Sequence, residues 1–502
     1  MRLKELVEGL DFVCLAGDME RDIPSLHYDS REVNSGSMFV AIRGLQRDGH
    51  DFLRAALEAG ACTLVVERLP PALAIPEGVT VLMVPDSRWA LARMAANFYR
   101  HPSRRMRVVG VTGTNGKTTT TYLIEAILAQ AGHRAGVIGT VSYRFAGRVL
   151  PAERTTPESL DLQRILSQMA AAGVEYLVME VSSHSLELNR VAECEFDLAI
   201  FTNLTPDHLD FHQDLEHYRK AKLRLFAKLG EGKGKGVRKM ALINRDDPSA
   251  PEMERACTAE TWGFGFGDGC EIRACHLETG LGGTRLVVQT PRGRISLRSP
   301  LIGEHNGYNI LAAVGAGLWA DVPFVAIAEA IGRVGLVPGR WERIPSGLGF
   351  EVVVDYAHTP DALERVLKIG KRLCPGKLIT VFGCGGDRDR SKRPLMGEVA
   401  ARWSDYLVLT SDNPRNEDPL DIIAEIEEGV RRAFPGSSNY VKIEDRRKAI
   451  QEAIGAAREG DLVIIAGKGH ETYQILKDKT IPFDDREVAR SILREIEERR
   501  KG

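Results

Sequence analysis

A glycine-rich turn that ends in Lys-Thr-Thr carries the clearest chemical signal in this 502-residue sequence. The letters "VTGTNGKTTTT" span residues 111–121, between an apolar run and the helical pattern "YLIEAILAQAG". A strand that turns through Gly113 and Gly116 into a helix exposes backbone N–H groups at the positive end of that helix, where a phosphate binds. The segment therefore predicts a nucleoside triphosphate site.

Individual residues of this loop have distinct expected roles. Lys117 would reach the β- and γ-phosphates, and the hydroxyl of Thr118 would ligate Mg²⁺. The strict phosphate-loop pattern has glycine where Val111 stands, so an ordinary glycine turn is the alternative at this point. The other predicted ATP contacts in the loop are Gly113, Thr114, Asn115, Gly116 and Thr119.

Three later segments supply candidates for holding the metal. Glu180 in "VMEVSSH" follows the next apolar run, where a second Mg²⁺ ligand is needed beside a triphosphate. The segment "TNLTPDHLDFH" offers His208, with Asp207 or Asp210 as further candidates. Lys222 lies in the amphipathic "EHYRKAKLRLF", and the residues alone favour a surface lysine whose stem packs on apolar neighbours. His208 taken alone is more typical of a structural histidine than of a metal ligand.

The elements that must position these residues alternate strand and helix from about residue 106 to the end. Continuous apolar runs that end in small or polar residues are typical of parallel strands covered on both faces, with ligands at their carboxyl ends. The pattern predicts an α/β fold with parallel sheets. The runs are "MRVVGVTG", "VEYLVMEVSS", "FDLAIFTNL", "KMALINRDD", "FEVVVDYAHT", "KLITVFGCGG", "DYLVLTSDNP" and "DLVIIAGKGH".

Changes of texture divide the chain into three expected domains, in agreement with its length. Over residues 1–105 the strand-like and helix-like segments are short and mixed, and this region ends in the turn-forming "RHPSRR". Residues 106–338 form the expected central P-loop, parallel-sheet ATPase domain, with a β-hairpin insertion over 262–300. Residues 339–502 form the expected C-terminal Rossmann-like domain, which starts where Pro338 and Gly339 interrupt a helical pattern.

Composition argues against several classes of protein. The 67 Lys and Arg nearly cancel the 69 Asp and Glu, which disfavours binding to nucleic acid or to an anionic membrane. The start "MRLKELVEGLDFV" lacks the apolar core of a signal peptide, so we expect a cytoplasmic protein. The apolar window 308–331 is interrupted by Asp321 and Pro323, which disfavours a membrane span. Eight cysteines without a C-x-x-C pair predict structural thiols. Separately, we expect the protein to be a monomer.

Nine motifs follow one another along the chain: "GTNGKTT", "MEVSSH", "TNLTPDHLDFH", "YRKAK", "EHNGYN", "VDYAHTPDAL", "FGCGGDRDRSKRP", "TSDNPRNEDP" and "AGKGHE". Taken together, these motifs resemble those of the Mur ligases of peptidoglycan synthesis. The N-terminal "YDSREVNSGSMFVAIRGLQRDGHDF" is similar to that family's uridine-nucleotide domain. The resemblance implies an ATP- and Mg²⁺-dependent ligase whose substrates are UDP-N-acetylmuramoyl-L-alanyl-D-glutamate and meso-diaminopimelate.

The resemblance also implies roles for single residues. It implies that Lys222 is carbamylated, and that this carbamate, Glu180 and His208 join Thr118 at the metal site; Lys117, Lys222 and His208 would be catalytic. The nucleotide would also contact Asn306, Asn309, Arg340 and Asp355. The UDP-muramoyl dipeptide would contact Tyr28, Ser30, Thr155, Thr156, Ser182, Arg190 and position 188, where Leu188 stands and several relatives carry Gln.

Joining a carboxylate to an amine needs an activated acyl group, and an acyl phosphate made from the ATP γ-phosphoryl group provides one. Both reactants are anions, so the expected catalysis is positioning plus charge neutralisation. The amine must lose a proton as it attacks. His358 or a nearby carboxylate could accept that proton, and the sequence does not choose between them.

The segment "DNPR" indicates which amine enters. Arg415 offers a planar fork that matches the second carboxylate of diaminopimelate and repels the distal ammonium of lysine. Asp412 and Asn413 could receive the distal ammonium, and Arg388 the carboxylate at the reacting end. The expected pocket also includes Pro414, Gly467 and Glu471. The alternatives are a lysine-adding synthetase, a ligase of the folylpolyglutamate synthase type, and a switch that only hydrolyses ATP.

Overall fold

The computed structural model describes residues 1–44, 47–230, 235–436 and 439–501. Separate sheets lie in the N-terminal, central and C-terminal parts of the chain, each flanked by helices. The predicted class, α/β with three domains, is confirmed. The exact limits at residues 105 and 338 stay predictions.

The N-terminal part holds a mixed sheet in the order β1-β5-β4-β3-β2, in which only β1 runs antiparallel to its neighbour among the described strands. Its strands are β1 (Val13–Ala16), β2 (Leu26–His27), β3 (Met38–Val40), β4 (Thr63–Val66) and β5 (Thr80–Met83). Its helices are α1 (Leu3–Leu6), α2 (Leu53–Glu58) and α3 (Ser87–Phe98), with 3₁₀ turns at Ser30–Glu32, Gly49–Phe52 and Pro102–Arg105.

The central part is built on a long sheet that is parallel in its middle and antiparallel at both ends. Its strands are β6 (Arg107–Thr112), β7 (Ala135–Ile138), β8 (Ser142–Phe145), β9 (Arg148–Pro151), β10 (Tyr176–Glu180), β11 (Leu198–Phe201), β12 (Met240–Asn244), β13 (Glu260–Gly265), β14 (Ile272–Gly280), β15 (Gly283–Thr290) and β16 (Gly293–Ser299). Its helices are α4 (Lys117–Gln130), α5 (Ser159–Ala171), α6 (Ser183–Glu187), α7 (Leu209–His212), α8 (Leu215–Ala227), α9 (Ala250–Ala256), α10 (Glu304–Trp319) and α11 (Phe324–Arg333).

The strand order of this sheet is β16-β15-β14-β13-β12-β11-β6-β10-β7-β8-β9. The hairpin expected over 262–300 is present as β15 and β16, and β14 joins it antiparallel, so the segment extends the central sheet. Strand β6 lies between β11 and β10 and is parallel to both. The phosphate loop therefore leaves the sheet at the carboxyl end of an interior strand, where ligands of open α/β sheets bind.

The C-terminal part has a sheet in the order β17-β18-β22-β19-β20-β21, parallel except for β17 in the described chain. Its strands are β17 (Glu342–Ile344), β18 (Glu351–Asp355), β19 (Leu378–Phe382), β20 (Tyr406–Leu409), β21 (Tyr440–Lys442) and β22 (Leu462–Ala466), followed by the hairpin β23 (Tyr473–Ile475) and β24 (Thr480–Pro482). Its helices are α12 (Pro360–Leu373), α13 (Lys392–Trp403), α14 (Pro419–Ala433), α15 (Arg446–Ala456) and α16 (Asp485–Lys501).

Packing explains why the strand ends are held firmly. Val109 and Val111 of β6 are buried against Leu123 and Ile127 of α4, and burial of one such side chain contributes about 1.5 to 3 kcal/mol. Helix α12 starts at Pro360 with the hydroxyl of Thr359 accepting a hydrogen bond from the N–H of Ala362, a regular amino-terminal cap.

Within the described residues, no helix combines the length and apolarity needed to span a bilayer.

Candidate functional site

A cavity of about 1300 Å³ lies between the central and C-terminal sheets. The phosphate loop forms one wall, and the carboxyl end of β18 with helix α12 forms the opposite wall. The sequence-predicted residues that line it are Thr114, Asn115, Gly116, Lys117, Thr118, Thr119, Thr155, Glu180, Ser182, Asp207, His208, Asn306, Asn309, Arg340, Asp355 and His358.

Two glycines of the loop are required by space as well as by backbone conformation. Gly116 has φ +87°, and a Cβ at this position would collide with Oδ1 of Asn309. Gly113 has φ +148°, and a Cβ there would collide with the hydroxyl of Thr202. The carboxamide of Asn309 is itself held, because its Nδ2 donates to Oδ1 of Asn306 over 2.9 Å. Asn306 and Asn309 thus support the phosphate loop from behind.

Lys117 is held inside its own loop. Its Nζ donates to the carbonyl oxygens of Gly113 at 2.8 Å and Thr114 at 2.9 Å. Burial lowers the pKa of this ammonium, while the nearby Glu180 and Asp207 oppose the shift. Phosphate oxygens are stronger acceptors than carbonyls, so an incoming triphosphate can take over these hydrogen bonds.

Glu180 is buried at the carboxyl end of β10 and faces the start of α4. Its Oε2 accepts from the Thr118 hydroxyl at 3.1 Å and from the Thr140 hydroxyl at 2.9 Å, and its Oε1 accepts from the N–H of Thr140 at 2.9 Å. A carboxylate beside a hydroxyl suits a hard cation such as Mg²⁺. Within the described chain, no group of three His, Cys, Asp or Glu side chains lies together in a way that could hold a metal ion.

Lys222 is almost completely buried in helix α8, with 1% of its surface exposed, so it is not a surface lysine. Its Nζ lies 4.3 Å from the centroid of the Tyr218 ring, and it has no hydrogen bond to any described residue. Burial lowers its pKa well below the usual value, and the charge of Lys117 adds to this. A lysine in this environment favours the neutral amine, which is the nucleophilic form.

His208 caps α7 with a left-handed backbone, φ +56°. Its Nε2 lies 3.4 Å from the Asp207 carboxylate, and its ring packs edge-on to that of His184 at 4.8 Å. Burial lowers the pKa of His208, so the imidazole has a free lone pair near neutral pH. A neutral imidazole that lines the same cavity as Glu180 and the phosphate loop is available as a ligand.

Arg340 joins the C-terminal part to the start of α4, and Asp355 lies beside it at the end of β18. The guanidinium of Arg340 donates to the Thr118 hydroxyl at 3.3 Å and lies 4.4 Å from the centroid of the Tyr356 ring. The carboxylate of Asp355 accepts from the N–H groups of Trp341 at 2.7 Å and Ala357 at 2.8 Å. Burial raises the pKa of Asp355, although these bonds and Arg340 oppose it.

His358 follows β18 and faces the cavity. Its Nδ1 lies 2.8 Å from the carbonyl oxygen of Tyr356, and a carbonyl can only accept, so we assign the proton to Nδ1. Nε2 then carries the lone pair. Burial and the neighbouring Lys392 lower the pKa of His358, which keeps the ring neutral.

The residues predicted to hold the UDP-muramoyl dipeptide fall into separate places. Thr155, Thr156 and Ser182 lie together: the Thr156 hydroxyl donates to the carbonyl of Glu180 at 2.8 Å, and the Ser182 N–H donates to Thr156 Oγ1 at 3.2 Å. The hydroxyl of Thr155 lies 3.1 Å from that of Thr140.

Arg190 is buried, and its guanidinium donates hydrogen bonds to other residues of the chain. Its Nε donates to Glu158 at 3.3 Å, and Arg88 of the N-terminal part donates to the same carboxylate at 3.1 Å. Tyr28 donates to Asp161 at 2.6 Å across the same junction. Ser30, in the 3₁₀ turn, and Leu188, at the end of α6, do not line the large cavity.

The residues predicted to select the amino acid cluster at the carboxyl ends of β19, β20 and β22. Asp412 and Asn413 are buried, and Nδ2 of Asn413 donates to Oε2 of Glu471 at 2.9 Å. A Cβ on Gly467, which has φ +114°, would come within 2.8 Å of Oδ2 of Asp412. Pro414 is buried beside them, whereas Arg388 is exposed.

Arg415 is half-buried with a left-handed backbone, φ +52°. Its Nη1 donates to the carbonyls of Gly386 at 2.8 Å and Asn413 at 3.4 Å, which leaves Nη2 and Nε without a partner among the described residues. Burial lowers the pKa of Arg415, and the charge of Arg388 acts in the same direction. The guanidinium groups of Arg388 and Arg415 therefore lie near each other, beside the carboxylates of Asp412 and Glu471.

Comparison with known proteins decides the family. The "Mur ligase middle domain" profile matches residues 111–317, the "Mur ligase, glutamate ligase domain" profile matches 339–469, and the "Mur ligase family, catalytic domain" profile matches 22–99. The chain belongs to the Mur ligase family. It is 46% identical over 495 residues to the UDP-N-acetylmuramoyl-L-alanyl-D-glutamate–2,6-diaminopimelate ligase of Geobacillus thermodenitrificans, with 99% of this chain and 100% of that protein covered.

Solved structures of related ligases agree with this assignment. A structure of a UDP-N-acetylmuramoyl-L-alanyl-D-glutamate–2,6-diaminopimelate ligase has a TM-score of 0.67 and 33% identity, with 99% of each chain covered. Folylpolyglutamate synthase of Mycobacterium tuberculosis, solved with ADP and AMPPCP, has a TM-score of 0.62 and 18% identity over 76% of this chain and 92% of that one. The second likeness concerns the fold alone.

Several residues of this Mur ligase site escaped the sequence reasoning. Thr140 makes two of the hydrogen bonds to Glu180, yet it lies in a plain turn after β7. Asp361 accepts from Nδ2 of Asn115 at 3.1 Å and so ties α12 to the phosphate loop. Its position in "HTPDAL", at a helix start, was a usable signal. Lys468, inside the motif "AGKGHE", is fully buried between Asn413 and Glu471.

Proposed function

We propose that this protein is an ATP-dependent ligase that joins meso-diaminopimelate to the γ-carboxylate of the D-glutamyl residue in UDP-N-acetylmuramoyl-L-alanyl-D-glutamate, with release of ADP and phosphate. The observation that carries the proposal is the adjacency of two sites. Asp361 on α12 accepts a hydrogen bond from Nδ2 of Asn115 in the phosphate loop at 3.1 Å, and Arg340 of the C-terminal part donates to the Thr118 hydroxyl at 3.3 Å. The carboxyl edge of the C-terminal sheet, which carries the diamino acid cluster, therefore lies against the phosphate loop at one cavity.

The first step would be transfer of the γ-phosphoryl group to the D-glutamyl γ-carboxylate. One carboxylate oxygen forms a bond to phosphorus while the bond to the β,γ-bridging oxygen breaks, and ADP leaves. Lys117 and the N–H groups at the start of α4 would hold the triphosphate and neutralise its charge. Mg²⁺, when held by Thr118 and Glu180, would supply further neutralisation of the phosphate oxygens.

Lys222 would serve as a carbamate. Its neutral amine nitrogen would attack CO₂, forming a C–N bond while one C=O electron pair moves to oxygen and the amine proton leaves to water. The product is a long carboxylate-like side chain, and it converts a buried group without a hydrogen bond into an oxygen ligand. His208 would contribute the remaining protein ligand.

The second step would be attack of the amine on the acyl phosphate. The amine nitrogen forms the amide bond, phosphate is expelled, and one amine proton must be accepted. His358 fits this role because it lines the cavity and because Nδ1 is fixed by the carbonyl of Tyr356, which leaves the lone pair on Nε2. Closure of the C-terminal domain would exclude water, which otherwise hydrolyses the acyl phosphate.

The C-terminal cluster would hold the amino acid. The unoccupied nitrogens of Arg415 would bind the distal carboxylate of diaminopimelate, and Arg388 the carboxylate next to the reacting amine. Asp412 and Glu471 would receive the distal ammonium. Lysine lacks the distal carboxylate and would leave Arg415 unpaired, which disfavours the lysine-adding alternative.

The support for the uridine-nucleotide substrate is the match of residues 22–99 to the family's catalytic-domain profile and the full-length likeness to curated ligases. Ser182, Thr155 and Thr156 would lie near the D-glutamyl end, while Tyr28, Ser30, Leu188 and Arg190 would serve the rest of this substrate. We propose further that the enzyme works as a monomer in the cytoplasm, which light scattering and cell fractionation can test.

The proposal is tested by mass spectrometry of the product formed from UDP-N-acetylmuramoyl-L-alanyl-D-glutamate and ATP with equal amounts of meso-diaminopimelate and L-lysine. We expect the diaminopimelate adduct to dominate. A dominant lysine adduct would reverse the assigned specificity. Phosphate release that ignores both amino acids and the UDP substrate would instead indicate the ATP-hydrolysing switch.

A further inference from the structure

Lys468 is a fully buried cation at the edge of the diamino acid cluster. It follows β22 and stands between Gly467, with φ +114°, and Gly469, with φ +54°. A Cβ on Gly469 would come within 2.7 Å of Cβ of Tyr356, so both glycines are required by close packing. This local geometry turns the lysine side chain into the protein.

The ammonium of Lys468 is shared between two members of the cluster. Nζ donates to Oδ1 of Asn413 at 3.0 Å and to Oε2 of Glu471 at 2.9 Å, and it lies 5.5 Å from the centroid of the Tyr473 ring. Its environment offers no solvent to replace these partners, since none of its surface is exposed. Loss of the ammonium would therefore leave Asn413 and Glu471 with unmet hydrogen bonds.

These contacts fix which way the Asn413 carboxamide faces. Oδ1 accepts from Lys468 and also from the N–H of Ile475 at 3.0 Å, so the NH₂ group must face Glu471. The amide oxygen already has two donors and is a poor acceptor for a substrate ammonium. Asn413 then acts by orienting Glu471.

The same contacts leave specific carboxylate oxygens open. Lys468 and Asn413 both bind Oε2 of Glu471, while Oε1 has no partner in the described part of the chain. Oδ1 of Asp412 accepts from the N–H of Asn413 at 2.7 Å, and its Oδ2 is likewise without a described partner. These two carboxylate oxygens suit the ammonium of a zwitterion, and Nη2 and Nε of the neighbouring Arg415 suit its carboxylate.

We propose that Lys468 is a positioning residue for the incoming diamino acid, which holds Asn413 and Glu471 so that one carboxylate oxygen of Glu471 meets the substrate's distal ammonium. The inference rests on the proposed function and deepens it. Lys468 also cancels one of the two negative charges of Asp412 and Glu471.

The test compares Lys468→Met and Lys468→Gln with the control Lys477→Met, a change of an exposed lysine after the neighbouring strand β23. We expect both Lys468 variants to raise KM for meso-diaminopimelate by about 10- to 100-fold, the effect of losing charge-assisted hydrogen bonds. KM for ATP and for the UDP substrate should stay within about twofold. The Gln variant keeps a neutral donor for Asn413 and guards against a folding failure of the Met variant.

A double-mutant cycle with Glu471→Gln separates positioning from simple loss of structure. If Lys468 acts through Glu471, Lys468→Met should change KM far less in the Glu471→Gln background than in the wild type. Equal effects in both backgrounds, or a KM for meso-diaminopimelate that stays within twofold in both Lys468 variants, would overturn the inference. A wild-type enzyme that forms no diaminopimelate product would instead refute the proposed function.

Discussion

Asn309 occupies the space that a side chain at Gly116 would need, so the phosphate loop and helix α10 fit together only with glycine at this turn. The carboxamide of Asn309 is in turn fixed by Asn306. The relationship links two motifs, "GTNGKTT" and "EHNGYN", that lie far apart in the sequence.

Gly116→Ala should abolish tight nucleotide binding, because the new Cβ must displace Asn309 or the loop. We expect this displacement to raise Kd for an ATP analogue by roughly 100-fold. Gly132→Ala is the matched control: this glycine follows the other end of α4 with φ +84°, and nothing lies within 4 Å of its Cβ position. Calorimetric titration of both variants measures the effect, and equal losses would show that backbone strain alone is responsible.

Lys222→Ala should lower the ligation rate by at least roughly 100-fold, the loss expected when a group that supports a metal site is removed. Lys220→Ala is the control, because Lys220 lies on the same helix and pairs at the surface with Glu216. With ¹³CO₂ present, a carbamate carbon signal should appear in the NMR spectrum of the wild type and of Lys220→Ala. Persistence of that signal in Lys222→Ala would place the carbamate elsewhere.

Arg415→Ala should raise KM for meso-diaminopimelate by roughly 100-fold, since the change removes the half-buried guanidinium that would bind the distal carboxylate of this substrate. The preference for meso-diaminopimelate over L-lysine should fall in the same variant. Arg402→Ala provides a surface control, because Arg402 is largely exposed and pairs only with Glu398 among the described residues. Steady-state kinetics with each amino acid gives the answer, and unchanged values for Arg415→Ala would remove its role.

Glu417 should make stability depend on acid pH. Hydrogen bonds from the buried Arg393 lower its pKa to about 2, and its Oε1 also accepts from the N–H of Asp387. Because the folded pKa lies below the unfolded value of about 4.5, the stabilisation is complete above pH 4.5 and is lost as the pH falls toward 2. Glu417→Gln should therefore cost about 1 to 3 kcal/mol at pH 7 and less at pH 3.

Urea denaturation of Glu417→Gln and of the wild type at pH 7 and pH 3 measures this difference. Glu398→Gln is the control, because its pair with the exposed Arg402 contributes little. A destabilisation by Glu417→Gln that is the same at both pH values would contradict an ionised Glu417 as its cause.

Eight strands of the central and C-terminal parts were predictable because each is a continuous apolar run. The role of the loops after them as ligand sites stays a prediction, which rests on their position at the carboxyl ends of parallel strands. The burial of Lys222 was not, since an amphipathic helix places lysines on either face and the residues alone favoured the surface. Its state depends on Lys117 and Asp207, which only the fold brings near it, and on the ring of Tyr218 one turn earlier on the same helix.

Contacts between distant segments were likewise beyond sequence reasoning. Thr140 reaches Glu180, and Asp361 reaches Asn115, through packing of elements that no local pattern relates. Lys468 sat inside a recognised motif, but its two glycine neighbours gave no sign of which way its side chain points. The fold class, in contrast, follows from periodicity alone.

The most direct test of the account is isotope transfer from the D-glutamyl γ-carboxylate. With ¹⁸O in that carboxylate, one turnover through an acyl phosphate moves one labelled oxygen into the released phosphate. We predict ¹⁸O-labelled phosphate in step with amide formation when ATP and meso-diaminopimelate are present. Amide product accompanied only by unlabelled phosphate would contradict phosphoryl transfer to the acid.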